Sequence, residues 1–157
     1  MSVELINSKE EEKIDNNLSN IDAELALISC ILWDNKNYEK VSEFIDESHF
    51  VDENYKIIFS TIKKLLDKNI LVSPITLKNY LPGDENNLNK INYLNQIKDS
   101  SPSTQNTYTY AKIIYDLYVK RNLLSIAHNL IQDTNSNQEI TAENLIETAE
   151  NNLYLIS

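Results

Sequence analysis

Few residues of this chain have types and spacings that could do chemistry: two histidines, one cysteine, one arginine and a pair of neighbouring glutamates. His49, in the segment "DESHF", could act as a general base. No partner cluster accompanies it, and a turn histidine bonded to backbone is the simpler assignment. His128 lies far off in sequence, and neither histidine belongs to the H-x-x-x-H spacing that places two imidazoles over one metal. Cys30 is alone, so neither an intramolecular disulfide nor a cysteine zinc site can form. Glu147 and Glu150, close to Asn151, could hold a cation, yet no ligand-loop pattern surrounds them. With 1 glycine in the chain, neither G-x-x-x-x-G-K-[ST] nor G-x-G-x-x-G can be built. Arg121 is the only arginine, which rules out a phosphate clamp of several guanidinium groups. Asn17-Leu18-Ser19 fits a glycosylation acceptor, which would stay unmodified in a cytosolic protein. These residues predict no catalytic, cofactor-binding or metal site in this chain.

Composition narrows the function further. The net charge is −10, from 24 acidic and 14 basic residues. A surface that grips phosphates needs a basic face, so this domain is not expected to hold DNA or RNA by itself, nor to dock on an anionic membrane. The start, "MSVELINSKEEEKIDNN", carries charges where a signal peptide is apolar, and no stretch nears the roughly 20 apolar residues of a membrane span. The lone cysteine suits a reducing compartment. A soluble, cytoplasmic protein is expected. Its 157 residues suffice for about one domain, and 41% hydrophobic residues can fill a core. One glycine and 3 prolines leave little for tight hairpin turns. The expected class is all-α.

Periodicity then places the elements. Residues 1–18 hold "SKEEEK" without apolar rhythm and are expected to form a flexible arm. Ser19 or Asn20 caps "IDAELALISCILWD", whose apolar residues run most of the way round, as in a central core helix. "YEKVSEFI" reads as a short helix with Val41, Phe44 and Ile45 on one face, and "DESHF" as a turn. Asp52 caps "ENYKIIFSTIKKLLDK", with Ile58, Phe59 and Ile62 recurring at helical spacing. Ser73 before Pro74 opens "PITLKNYL", "PGDENN" stops it, and "KINYLNQIK" is another short helix. Trp33 and most tyrosines fall on or beside apolar stripes, which predicts core packing.

From Ser100 the chain makes a proline turn and then carries a long apolar pattern to Asp133. A polar connector, "TNSNQE", follows, and then a helix capped by Thr141. A short connection favours antiparallel neighbours, so a compact helical globule over 19–105 should lead into an antiparallel helical hairpin over 106–157. The apolar arc of the first hairpin helix is broad, whereas Ala142, Ile146, Ala149, Leu153 and Ile156 make only a narrow stripe on the second. Either the globule covers the surplus, or a second copy does. The residues assigned to such a partner interface are Leu123, Ile126, Leu130, Ile131, Leu145, Ile146, Ala149 and Leu153.

Several blocks resemble the N-terminal domain of DnaB-type replicative helicases. "NIDAELALISCILWDN" is similar to that family's first helix at Asp22, Ala23, Glu24, Ile28, Ile31, Leu32 and Asp34. "HFVDENYKIIFSTIKKLLDKN" keeps the pattern D-F-x-x-x-x-H-x-x-I-F-x-x-I-x-x-L at Phe50, Ile58, Phe59 and Ile62, with Tyr55 in place of the histidine. Thr76, Leu77 and Leu81 follow its T-L-x-x-x-L, and Tyr93, Leu94, Pro102, Ser103, Asn106, Tyr110, Ala111 and Ile113 its Y-L…P-S-x-x-N-x-x-x-Y-A-x-I. Arg121, Leu123 and Leu124 fit the R-x-L-I beyond. Ser29 and Asn89-Lys90 stand where the family has glycines.

The resemblance implies a non-catalytic collar domain. It would pair through its hairpin with another subunit, assemble as a trimer of dimers on a hexameric ring, and dock the primase C-terminal domain. ATP and magnesium would belong to a motor domain this chain lacks, the parent protein being an ATP-dependent DNA helicase. Two other assignments stay open: the helicase-binding domain of a primase, which has a related helical fold, and a stand-alone regulator of the helicase.

Overall fold

The computed structural model describes residues 18–83, 86–100, 104–136 and 139–157. The arm expected over 1–18 lies, Leu18 apart, outside the described residues, as does the Asn17 acceptor. The described residues contain helices and turns and no strand, an all-α fold with a long helical hairpin. They form two compact units, Ser19–Tyr115 and Asp116–Ser157 with Leu18.

In the first unit, helix α1 (Ile21–Trp33) is central, with Ala23, Glu24 and the run Leu27–Leu32 all buried. Asn20 is its cap: Oδ1 accepts the Ala23 N–H at 2.9 Å, satisfying an otherwise orphaned donor. Trp33 departs from expectation. As the last residue of α1 its side chain leaves the apolar face, stays 52% exposed, and lies 4.8 Å from the Lys98 ammonium. Tyr80, Tyr93, Tyr108 and Tyr154 are exposed as well.

The helix expected over residues 38–45 is shorter and earlier, α2 (Lys36–Glu39), and continues as turns. Mixed spacing explains this, because Val41 and Phe44 bond three residues back while Ser42 and Ile45 bond four back. The apolar spacing still holds, with Val41 and Ile45 buried. A 3-10 turn (Glu47–His49) leads to α3 (Glu53–Asp67), where the Asp52 carboxylate accepts the Tyr55 N–H at 3.0 Å. Phe59, fully buried, packs with ring centroids 4.8 Å from Phe50 and 6.1 Å from Tyr38.

Helix α3 ends on Asn69, which has φ 58°. The Ile70 N–H reaches back to the Leu65 carbonyl and the Asn69 N–H to that of Leu66, both at 2.9 Å, so asparagine fills the left-handed position usually given to glycine. Ser73 and Thr76 then cap each other's backbone at the start of α4 (Pro74–Leu77). That helix stops four residues short of the expected end, where the Tyr80 N–H bonds the Leu77 carbonyl in a turn. Helix α5 (Asn87–Asp99) buries Leu94 and Ile97.

Helix α6 (Thr107–Ser136) begins in this unit, burying Thr107, Ala111 and Ile114. The two units divide within α6, between Tyr115 and Asp116. Beyond that point α6 belongs to the second unit with α7 (Ala142–Ile156), whose cap Thr141 accepts the Asn144 N–H at 3.2 Å.

Candidate partner interface

His49, the one candidate base, is occupied structurally. Its Nδ1 accepts the Asp46 N–H at 3.0 Å. The ring is buried edge-on to Tyr115, with centroids 5.5 Å apart. Asp46 returns the contact, its carboxylate accepting the Ser48 N–H at 2.7 Å. Burial pushes the Asp46 carboxyl up, but the Ser48 hydroxyl and N–H, with His49 and Lys63, outweigh it and hold the group below its ordinary value. The Tyr38 and Tyr55 phenols are raised, first by burial and then by nearby carboxylates, Asp67 and Glu47 for one, Asp52, Glu24 and Asp22 for the other. Among the described residues no group of three His, Cys, Asp or Glu side chains is placed to hold a metal. Nor is any helix there long and apolar enough to cross a membrane.

Glu24 is the buried charge that periodicity did not mark. Its carboxylate accepts the N–H groups of Val51 and of Asp52, the latter at 3.2 Å, just ahead of α3. The helix N-terminus favours that negative charge. Glu24 thereby ties α1 to the start of α3, a structural duty.

The second unit differs in kind. No described residue from Asp116 onward is buried. The eight residues assigned to an interface divide into two sets. Ile126 and Leu130 of α6 face Leu145 and Ala149 of α7 across a cleft of about 50 Å³, closed further by Asn129, Asp133, Thr148 and Asn152. With Ile140 these four make the apolar lining of the space between the two helices. Leu123, Ile131, Ile146 and Leu153 lie outside the cleft and are exposed, Ile131 and Ile146 by 60% each. Tyr154 and Leu155, absent from the expected set, are 80% exposed. That last turn, Leu153 to Ile156, is apolar on every side, so a single stripe does not describe it.

Two further features belong to this unit. The Arg121 Nη1 donates to the Leu18 carbonyl at 2.6 Å, a bond within this unit. Lys120 pairs with Asp116 at 2.8 Å along the exposed side of α6.

The described residues make an all-α fold whose second unit exposes apolar side chains on both of its helices. Residues 16–116 fit the model of the DnaB-like helicase N terminal domain, and the chain belongs to that family. It is 38% identical over 139 residues to the replicative DNA helicase DnaB of Rickettsia felis, covering 87% of this chain and 28% of that protein. The DnaB of Buchnera aphidicola is 29% identical over 148 residues, covering 93% and 32%. The chain thus spans about a third or less of the length of these relatives. Among solved structures, the N-terminal domain of DnaB helicase from Mycobacterium tuberculosis superposes with a TM-score of 0.72 at 15% identity, over 87% of this chain and 96% of that one. A DnaB-like replicative helicase described with its interactions with primase gives 0.69 at 22% identity, over 88% and 32%. At these identities the two structures establish the fold.

Proposed function

We propose that this chain is the non-catalytic collar domain of a replicative DNA helicase, and that its hairpin mediates subunit pairing and docking of primase. The observation that carries the proposal is that no described residue of the second unit is buried. Most helical stability in water comes from packing an apolar face against a neighbour. A hairpin with Leu123, Ile131, Ile146 and Leu153 exposed therefore has its stabilising contact still to make. Family membership supplies the candidates for that contact: a second subunit, in dimers that build a hexameric ring, and the C-terminal domain of primase. ATP and Mg²⁺ belong, on this proposal, to a motor domain elsewhere in the parent protein. The acidic surface agrees with a collar that leaves DNA to other parts of the ring.

The test is a pull-down of the chain against the cognate primase C-terminal domain, with Leu123→Glu and Leu153→Glu alongside. Retention of wild type and loss in either variant is expected. Equal retention of all three would move docking off the hairpin.

A further inference from the structure

We infer that the outer face of α7 docks a basic, amphipathic helix of another protein, while the second copy of this chain is taken by α6. The inference rests on the hairpin being an association element and divides its surface between two occupants by charge.

No lysine or arginine follows Arg121; the charged side chains beyond it are Asp133, Glu139, Glu143, Glu147 and Glu150. Three of these are on α7. Glu143, Glu147 and Glu150 recur at i, i+4 and i+7, a spacing that stacks them along one helical face, and all are exposed. Like charges so placed repel and weaken the helix that carries them. Tyr154, 80% exposed, extends the same face, and Ile146 and Leu153, seven residues apart, form an apolar edge beside it. The cleft residues Leu145 and Ala149 lie toward α6, so the carboxylate row points away from the hairpin's own seam.

This combination selects the occupant. Two copies of α7 laid face to face would oppose three carboxylates to three, and like charges across a contact discriminate against it. The exposed stripe of α6 at Leu123 and Ile131 carries no such row. A second copy therefore pairs through α6. A helix bearing lysine or arginine beside a leucine-type stripe relieves the repulsion on α7 and covers Ile146, Leu153 and Tyr154 together.

The experiment uses the full chain and a labelled synthetic helix of lysine and leucine, with leucines at i, i+3, i+4 and i+7. A scrambled peptide of identical composition serves as control, and binding is followed by fluorescence anisotropy. The patterned peptide is expected to bind, weakening with added salt, and the triple variant Glu143→Gln, Glu147→Gln, Glu150→Gln should lose about tenfold in affinity. Leu153→Ser should weaken binding too, and self-association of the triple variant should be unchanged or tighter in sedimentation. Equal binding of the scrambled peptide, or wild-type affinity in the triple variant, overturns the inference. A chain that stays monomeric yet shows these peptide effects supports docking on α7 and overturns pairing through α6. A chain that pairs but ignores the peptide overturns docking on α7 and leaves the hairpin's role in association standing.

Discussion

The Asn35 side chain holds Val72 by both backbone groups, accepting its N–H at 2.8 Å and donating to its carbonyl at 3.0 Å. The same amide nitrogen donates to the Ile31 carbonyl at 2.9 Å, so one residue finishes α1 and fastens the segment ahead of α4. Val72 is buried, so its backbone groups need a protein partner in place of water.

Asn35→Ala should therefore lower stability by about 2 kcal/mol, since it strands buried backbone groups as well as removing hydrogen bonds. Asn35→Asp should fall between, because a carboxylate accepts the Val72 N–H but cannot donate. Urea unfolding followed by circular dichroism measures both. A loss in Asn35→Ala within error of zero would mean the Asn35–Val72 clamp carries no weight.

Glu24 makes a second long-range tie. Glu24→Ala should destabilise by about 3 kcal/mol, leaving the Val51 and Asp52 N–H groups without acceptors, and Glu24→Gln by about 1 kcal/mol, since one acceptor remains. Denaturant midpoints would reveal the order. A Gln variant weaker than the Ala variant would contradict it.

Acid should loosen the turn before α3. Asp46 has a folded-state pKa below its ordinary value, so its contribution is fully present above that ordinary value and disappears as pH falls through the lower, folded one. Stability curves of wild type and Asp46→Asn should run apart near neutrality, wild type higher, and converge at acid pH. Parallel curves across that window would refute the role given to Asp46.

Much of this architecture is legible from residue types. The caps Asn20, Asp52, Ser73 and Thr141 stand where side-chain chemistry marks them, because an N-cap acts on N–H groups two or three residues away. What depends on distant partners is not legible. Glu24 needs Val51 and Asp52, Asn35 needs Val72, and nothing local to either residue signals the pairing. Trp33 misled because periodicity gives the direction of a side chain along a helix and not where the covering layer ends. In the hairpin, spacing identified apolar residues correctly but could not separate Ile126, Leu130, Leu145 and Ala149, which face one another, from Leu123, Ile131, Ile146 and Leu153, which face outward. Apolar periodicity reports that a face is to be covered. Only the positions of the two helices say by what.

Sedimentation equilibrium of the full chain from low to high micromolar concentration reads whether the exposed stripe of α6 is an association surface. Wild type should pass from monomer to dimer with increasing concentration. Leu123→Glu, at a residue already exposed and outside the hairpin cleft, should keep the helical circular dichroism signal and shift that equilibrium toward monomer by tenfold or more, a charge in an apolar contact costing about 1–3 kcal/mol. A wild-type chain that remains monomeric throughout, or a Leu123→Glu variant that dimerises equally well, would contradict association through α6.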